Sequence, residues 1–146
     1  MHRVLATKKI TYQPKVNYYI IAIASVLKDY RISFYVNQYL HLNLERDEDL
    51  VSENKSKESA NSFCKYYYLD DKSEFEYFLV QNKQLGKLYL KSLKNFDFLL
   101  IVKTIDEETI DAGSFYEQLK NIKDVQLALE IHYLTSTEQK RIEKDF

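Results

Sequence analysis

Glycine and proline are scarce in this sequence, which holds two Gly and one Pro among 146 residues. Phosphate-binding loops need closely spaced glycines, and the Gly-x-Ser-x-Gly turn of many hydrolases exposes a nucleophilic serine. Gly86 and Gly113 stand alone in the chain, so neither pattern is present. The sequence therefore argues against nucleotide-dependent enzymes and against serine hydrolases of that type.

Cysteine, long apolar runs and excess charge are also lacking. The one cysteine, Cys64, cannot form an intramolecular disulfide, which fits a reducing compartment. No apolar run approaches the roughly 20 residues that a membrane-spanning helix needs, and the first residues do not resemble a secretory signal. The formal net charge of −1 gives no general attraction to nucleic acid or anionic lipid. We therefore expect a cytoplasmic protein without membrane contact.

Residues that could support catalysis or metal binding are dispersed. His2, His41 and His132 have no histidine, cysteine or carboxylate at the spacing of metal ligands. Cys64 follows an aromatic residue and is expected to be a small packed side chain. The acidic cluster at 106–111 is explained by favourable charge before a helix N-terminus. We predict no metal, no cofactor and no enzymatic activity.

Aromatic residues are abundant, with 13 Tyr and 8 Phe. Their rings bury large areas at modest entropic cost, and exposed tyrosines are common at protein contacts. This composition predicts a domain that acts through contact surfaces rather than through reactive groups.

Two apolar runs of strand length, 16–26 and 96–103, predict buried strands. Two aromatic-rich runs, 63–69 and 74–81, flank a polar turn and predict a hairpin. Weaker patterns predict an edge strand at 3–12 and further strands at 85–93 and 125–134. In the last of these, alternation predicts one buried face, formed by Val125, Leu127, Leu129, Ile131 and Tyr133.

Two helices are predicted from apolar spacing. The first begins near Asp29 and has a regular apolar face, formed by Ile32, Tyr35, Val36, Tyr39 and Leu40. The second covers 111–123, and Ser114 followed by Glu117 matches a capping box at its start.

The order of these elements predicts an α+β fold, a mainly antiparallel sheet with two helices on one face. A ferredoxin-like split βαβ plan with one or two extra strands fits this order. We predict a single domain over 1–134, with a mobile polar loop at about 46–61. Residues 135–146 are expected to form a polar tail with one or two helical turns.

Four features follow one another along the chain: the apolar run before residue 26, 26–31 (VLKDYR), Asn37 and 43–46 (NLER). With these features the sequence resembles, over most of its length, the IPExxxVDY family, a bacterial family of similar length. It implies a bacterial protein and no assigned activity.

The motif that names this family would fall at 90–92 and 96–98 of this chain. Asp97 is the identical residue there, and apolar residues of other types stand at 90, 96 and 98. Lys91 and Ser92 replace the proline and glutamate of the motif, so it is degenerate here.

The polar group Asp29, Tyr30 and Arg31 is a candidate binding site, because the arginine offers a planar fork for a carboxylate or phosphate. A helix start with a solvated arginine explains the same residues. Asp97 lies between two phenylalanines and is either exposed or buried and paired. We consider an ion pair between Asp97 and Arg31 as a hypothesis.

Three consecutive tyrosines, Tyr66, Tyr67 and Tyr68, form the second candidate site, because a strand must turn at least one of them outward. Several lysines lie in the same region, namely Lys65, Lys83, Lys87, Lys91 and Lys94. Such a surface could bind single-stranded RNA by stacking and phosphate contacts. We favour a non-enzymatic adaptor or regulatory module that binds protein, with self-association through an edge strand as one version.

Overall fold

The computed structural model describes residues 15–52, 61–105 and 110–146. The strands are β1 Val16–Ser25, β2 Glu45–Ser52, β3 Asn61–Leu69, β4 Glu76–Gln81, β5 Lys83–Gln84, β6 Lys87–Leu88, β7 Phe98–Ile105 and β8 Val125–Ile131. The α-helices are α1 Asp29–Leu40, α2 Ala112–Leu119 and α3 Ser136–Asp145. The predicted edge strand at 3–12 and most of the acidic cluster at 106–111 lie outside the described residues.

Six strands form one antiparallel sheet in the order β2-β3-β4-β7-β1-β8. The predicted α+β class with a mainly antiparallel sheet is confirmed. The four strands β8-β1-β7-β4 are compatible with the ferredoxin-like plan, and β2 and β3 extend the sheet beyond them. The predicted hairpin is also confirmed, as β3 and β4.

One face of the sheet is covered by α1 and α2, as predicted. Ile32 and Val36 of α1 and Leu119 of α2 pack on the sheet with Ile21 and Ile23 of β1. The alternation of side chains along β1 sends its intervening residues to the other face. The apolar run at 16–26 therefore serves two cores at once.

The opposite face is covered by the segment between β4 and β7 and by α3. Leu90 and Leu93 pack there with Ile101 of β7 and Ile142 of α3. The predicted strand at 85–93 is wrong, since only a short hairpin and a 3₁₀ turn form. The turn, over Lys91–Leu93, lets both leucines point to the sheet, which strand alternation would not allow.

The C-terminal segment is a ten-residue helix, not a polar tail with one or two turns. Thr135 and Glu138 form a capping box at its start. Its one buried apolar residue, Ile142, packs against the sheet from the middle of the helix. One apolar position in a charged stretch is too weak a pattern to reveal a packed helix.

The predicted polar loop at 46–61 is wrong over 46–52, which form most of strand β2. β2 pairs with β3 in an antiparallel register that sets Arg46 opposite Tyr66. An edge strand has one side without a neighbouring strand, and charged residues are common there. In β2 these charges replace the apolar alternation from which a strand is usually predicted. Residues 53–60 lie outside the described part of the chain.

Strand β8 shows the opposite burial from the one predicted. Ala128 is buried in the core beneath α2, whereas Leu127 and Leu129 are partly exposed on the other face. Tyr133 lies beyond the end of the strand and is exposed as well. A small residue faces α2 here because the helix packs closely on this edge strand.

The second predicted helix is shorter than expected, and its cap differs. α2 begins at Ala112, and the carboxylate of Asp111 accepts a hydrogen bond from the Ser114 backbone N–H at 3.1 Å. Ser114 lies inside the helix, so the predicted capping box of Ser114 and Glu117 is wrong. Aspartate is a favourable N-cap residue, so the helix begins directly after Asp111.

A buried glutamate joins α3 to the 3₁₀ turn. Oε1 of Glu138 accepts a hydrogen bond from Ser92 Oγ at 2.7 Å, and Oε2 accepts one from the Ser92 backbone N–H at 3.1 Å. The Thr135 backbone N–H donates to the same carboxylate at 3.1 Å. The ionised form of Glu138 is therefore the one that holds α3 in place.

Lowering the pH is expected to weaken this attachment. Burial alone would raise the pKa of Glu138, but hydrogen bonds from Ser92 and Thr135 outweigh burial and hold that pKa below its ordinary value. A carboxylate with a lowered folded pKa stabilises the fold above its unfolded pKa, about 4.3. The contribution is lost as the pH falls through the lower folded pKa.

The free energy of unfolding, measured by urea titration between about pH 6 and pH 3, checks this prediction. The wild type should lose stability more steeply than Glu138→Gln, which has no carboxyl group to protonate. Glu143→Gln changes an exposed glutamate of the same helix and should keep the wild-type slope. Equal slopes in all three proteins would contradict the assigned role.

Candidate functional site

Asp29, at the start of α1, lies next to Tyr66 of β3, whose ring is buried between the sheet and the helices α1 and α2. The Tyr66 hydroxyl donates a hydrogen bond to Asp29 Oδ2 at 2.7 Å. Burial and the neighbouring carboxylate raise the pKa of Tyr66 to about 12. The pair links the first residue of α1 to β3, so both side chains are used to hold the helix on the sheet.

Arg31 and Asp97 have different partners, and the hypothesised ion pair between them is wrong. Oδ2 of Asp97 accepts a hydrogen bond from the Ser25 backbone N–H at 2.8 Å, and Oδ1 lies 3.8 Å from Lys83 Nζ. Arg31 Nη2 donates to the Tyr35 hydroxyl at 3.2 Å on the surface of α1. Asp97 ties the end of β1 to the start of β7.

The three consecutive tyrosines alternate between the two faces of the sheet, and both faces are covered. Tyr66 is buried, the Tyr67 hydroxyl donates to Glu76 Oε2 at 2.8 Å, and the Tyr68 ring stacks 5.9 Å from that of Tyr77. Burial and Glu76 raise the pKa of Tyr67 to about 12. Rings packed this way, with carboxylates at two hydroxyls, are unlike a platform on which bases stack.

Two of the five lysines of this region have acidic neighbours. Lys65 Nζ lies 3.6 Å from Asp47 Oδ2, and Lys83 Nζ lies 3.8 Å from Asp97 Oδ1. Phosphate binding at these two lysines would have to compete with the carboxylates. The contacts of the tyrosines and lysines together lower the support for an RNA platform on this part of the sheet.

In the described part of the chain, the side chains that could bind a metal ion are dispersed. Among residues 15–52, 61–105 and 110–146, no group of three or more His, Cys, Asp or Glu side chains is placed to hold a metal ion. Burial, with Asp29 nearby, raises the pKa of the Cys64 thiol and disfavours the reactive thiolate. Within the same ranges, none of the helices has the length and apolar character needed to cross a membrane.

Two open grooves flank α3. One, of about 360 Å³, is lined by residues that include Tyr89, Lys91 and Arg141, and the other, of about 250 Å³, lies between α3 and the start of β1. In the first, the Arg141 guanidinium lies 4.5 Å from the centre of the Tyr89 ring and donates a hydrogen bond to the Tyr89 carbonyl. This cation therefore has partners within the chain.

Two exposed aromatic residues lie close together on α1, and an exposed apolar residue lies in the turn before it. Tyr30 is 61% exposed and Phe34 is 62% exposed, one helical turn apart, while Val26 in the preceding turn is 78% exposed. We call these three residues the aromatic face of α1. Ile32 and Val36, on the other side of the helix, are fully buried.

Cations and further rings border the aromatic face. The Phe34 ring meets the Tyr35 ring edge-on at 5.4 Å, and the Arg31 guanidinium lies 5.9 Å from the Tyr35 ring centre. The hydrogen bond with Tyr35 raises the pKa of Arg31, so this side chain stays charged. Lys28 is exposed just before the helix.

Of the predicted binding residues, Tyr30 and Arg31 belong to this surface or border it, and Asp29 lies beneath it. Val26 and Phe34 were not predicted as binding residues. Within α1, the spacing of four residues between Tyr30 and Phe34, out of phase with Ile32 and Val36, was a signal for Phe34.

Comparison of the chain with protein-family models, curated proteins and solved structures returned no match. The resemblance to the IPExxxVDY family therefore stays a prediction, and the proposals below rest on the geometry of the chain itself.

Proposed function

We propose that this protein is a non-enzymatic cytoplasmic adaptor or regulatory module that binds another protein through the aromatic face of α1. The observation that carries the proposal is the pair Tyr30 and Phe34. Both rings are more than half exposed on a helix whose other side is buried. Aromatic side chains left in water in this way gain free energy when a partner covers them.

The bordering charges indicate the chemistry of the partner. Lys28 and Arg31 are cationic and exposed, whereas the Asp29 carboxylate accepts a hydrogen bond from Tyr66. An apolar segment that carries acidic residues fits this surface. Apolar contact would supply most of the affinity, and the charges would orient the segment and speed association.

The proposal is tested with two variants of the full chain. Tyr30→Ala/Phe34→Ala removes both rings and should lower affinity for the partner at least tenfold, since central aromatic residues each contribute more than about 1 kcal/mol. Val51→Ala/Tyr133→Ala removes two exposed side chains elsewhere and should bind like the wild type. All the proteins should unfold at similar temperatures, because the replaced side chains are exposed.

The partner is captured from native cytosol with and without nuclease, identified, and then measured as a purified protein by calorimetry. Equal affinity of the wild type and the Tyr30→Ala/Phe34→Ala variant would refute the proposed surface. Captured nucleic acid whose binding weakens steeply with salt would favour the RNA alternative instead.

A further inference from the structure

The two edges of the six-stranded sheet differ in character. β2, at one edge, carries charged residues at each position from 45 to 49 and has an irregular register between Asp47 and Leu50. Charges and bulges are the usual protection of an edge strand against pairing with another chain. β8, at the other edge, has the sequence VQLALEI, in which Glu130 is the charged residue.

β8 has an open side. Its inner side pairs with β1, and within the described ranges no strand pairs with its outer side. Backbone N–H and C=O groups of an antiparallel strand point alternately to the two sides, so half of those in β8 face outward. Leu127 and Leu129 are 43% and 40% exposed on the sheet face away from α1 and α2.

We propose that β8 pairs antiparallel with β8 of a second copy of this chain, so that one sheet continues across both copies. The inference uses residues other than the aromatic face of α1 and goes beyond the function proposed above. The two-fold axis is perpendicular to the sheet, because only that axis keeps the covered faces of the two copies on the same sides. Residues opposite each other must then point to the same face.

One register suits the side chains of β8. With the axis at Ala128, Leu127 of each copy lies opposite Leu129 of the other, and the four leucines form one apolar patch. Gln126 of each copy then lies opposite Glu130 of the other, where an amide can donate to the carboxylate. Cross-strand pairs of this kind contribute roughly 0.2–1 kcal/mol each.

Registers with the axis at Leu127 or at Leu129 fit the side chains of β8 less well. Moving the axis to Leu127 sets Glu130 opposite Asp124, two like charges that repel across the strands. Moving it to Leu129 sets Glu130 opposite the buried Ala128, where it has no donor side chain across from it. The register about Ala128 is therefore the one that we assign.

The contact is short. One strand pair with four leucines buries less than the roughly 1,200 Å² of a typical stable complex. We therefore expect a reversible dimer that forms in the micromolar range rather than a permanent one.

Sedimentation velocity of the full chain from about 1 µM to several hundred µM tests the dimer. The wild type should shift from monomer to dimer over this range. Leu127→Lys/Leu129→Lys should remain monomeric throughout, since it brings four cations together at the contact. Val51→Lys places a lysine at an exposed apolar position of the other edge strand and should dimerise like the wild type.

Charge substitutions test the register. Gln126→Glu sets like charges opposite each other twice and should weaken dimerisation about three- to tenfold, and Gln126→Lys should strengthen it by a similar factor. Gln126→Glu/Glu130→Lys again sets opposite charges across the strands and should strengthen dimerisation by about the same factor as Gln126→Lys. Changes that do not depend on the sign of the charge would overturn the register about Ala128.

Hydrogen exchange of the β8 amides shows whether another segment of the chain covers the open edge of β8 in a monomer. A wild type that stays monomeric at every concentration overturns the proposal. Protected outer amides in such a monomer would assign the edge to a segment of the same chain, and unprotected ones would leave it for a strand of a different protein. Tyr30→Ala/Phe34→Ala should dimerise normally, so failure of the proposed function and failure of this inference are distinguishable.

Discussion

Replacing Asn82 with alanine is expected to lower the free energy of unfolding by about 3–5 kcal/mol. Asn82 is fully buried. Its Nδ2 donates to the carbonyls of Leu93 at 2.9 Å and Phe96 at 3.0 Å, and its Oδ1 accepts from the Leu90 backbone N–H at 2.8 Å. Alanine would leave those three backbone groups buried without this partner, which is the costly case for hydrogen bonds.

The effect is large because of where the chain runs. Between β4 and β7 it leaves the sheet and returns, so its backbone groups lack the continuous ladder of neighbouring strands. A single amide side chain replaces that ladder for several of them. Asn82 therefore fixes the shape of the segment that covers the second core.

Urea denaturation of Asn82→Ala checks the prediction, with Asn95→Ala as the matched control. Asn95 is exposed in the same segment, and its replacement should change the free energy of unfolding by less than about 0.5 kcal/mol. A loss as small in Asn82→Ala as in the control would contradict the role of the amide. Asn82→Asp should also be destabilising, because a carboxylate cannot donate to the two carbonyls.

Replacing Tyr89 with alanine is expected to cost about 3–5 kcal/mol as well, for a different reason. The Tyr89 ring is buried and meets the rings of Phe63 at 5.7 Å and Phe146 at 6.3 Å. Its hydroxyl donates to Asp145 Oδ2 at 2.6 Å at the end of α3. Burial and this carboxylate raise the pKa of Tyr89, which keeps the hydroxyl protonated as the donor.

Two further variants divide the loss between the ring and the hydroxyl. Tyr89→Phe keeps the ring and should cost about 1–3 kcal/mol, the range for a hydrogen bond to a charged group. Tyr133→Ala removes an exposed tyrosine and should be nearly neutral. If Tyr89→Phe lost as much stability as Tyr89→Ala, ring packing would not be the source of the effect. Chemical denaturation at neutral pH measures all three variants.

The parts of the fold that follow local periodicity could be predicted from the sequence. The spacing of Ile32 and Val36 marks α1, and two aromatic-rich runs on either side of a polar turn mark the hairpin of β3 and β4. In α1 the sequence pattern matches the burial because one side of the helix faces a core and the other faces water. Such patterns need no knowledge of distant residues.

The segment over the second core depends on distant residues and could not be predicted. Asn82 has no sequence signal, because its hydrogen-bond partners lie 8 to 14 residues away in an irregular path. α3 consists of polar and charged residues apart from Ile142. β2 is held as a strand by its pairing with β3. Composition favoured a loop or a tail in both places.

The candidate site was predicted in part. Tyr30 and Arg31 lie at the exposed surface, as a binding role requires. The tyrosines at 66–68 were predicted to bind because three consecutive rings cannot all point to one face of a strand. The sheet is covered on both faces here, so Tyr66 and Tyr68 pack in one core and Tyr67 packs in the other. Phe34 was missed because a lone aromatic residue does not reveal whether its helix face is covered.

The central strand β1 pairs on both sides with strands that come much later in the chain. Val16 lies opposite Ile105 of β7, and Ile20 lies opposite Ile131 of β8. During synthesis the ribosome therefore releases this apolar strand long before either of its neighbours exists. The β2–β4 meander can form early, but β1 stays unpaired, in solvent or with a chaperone, until β7 and then β8 have emerged.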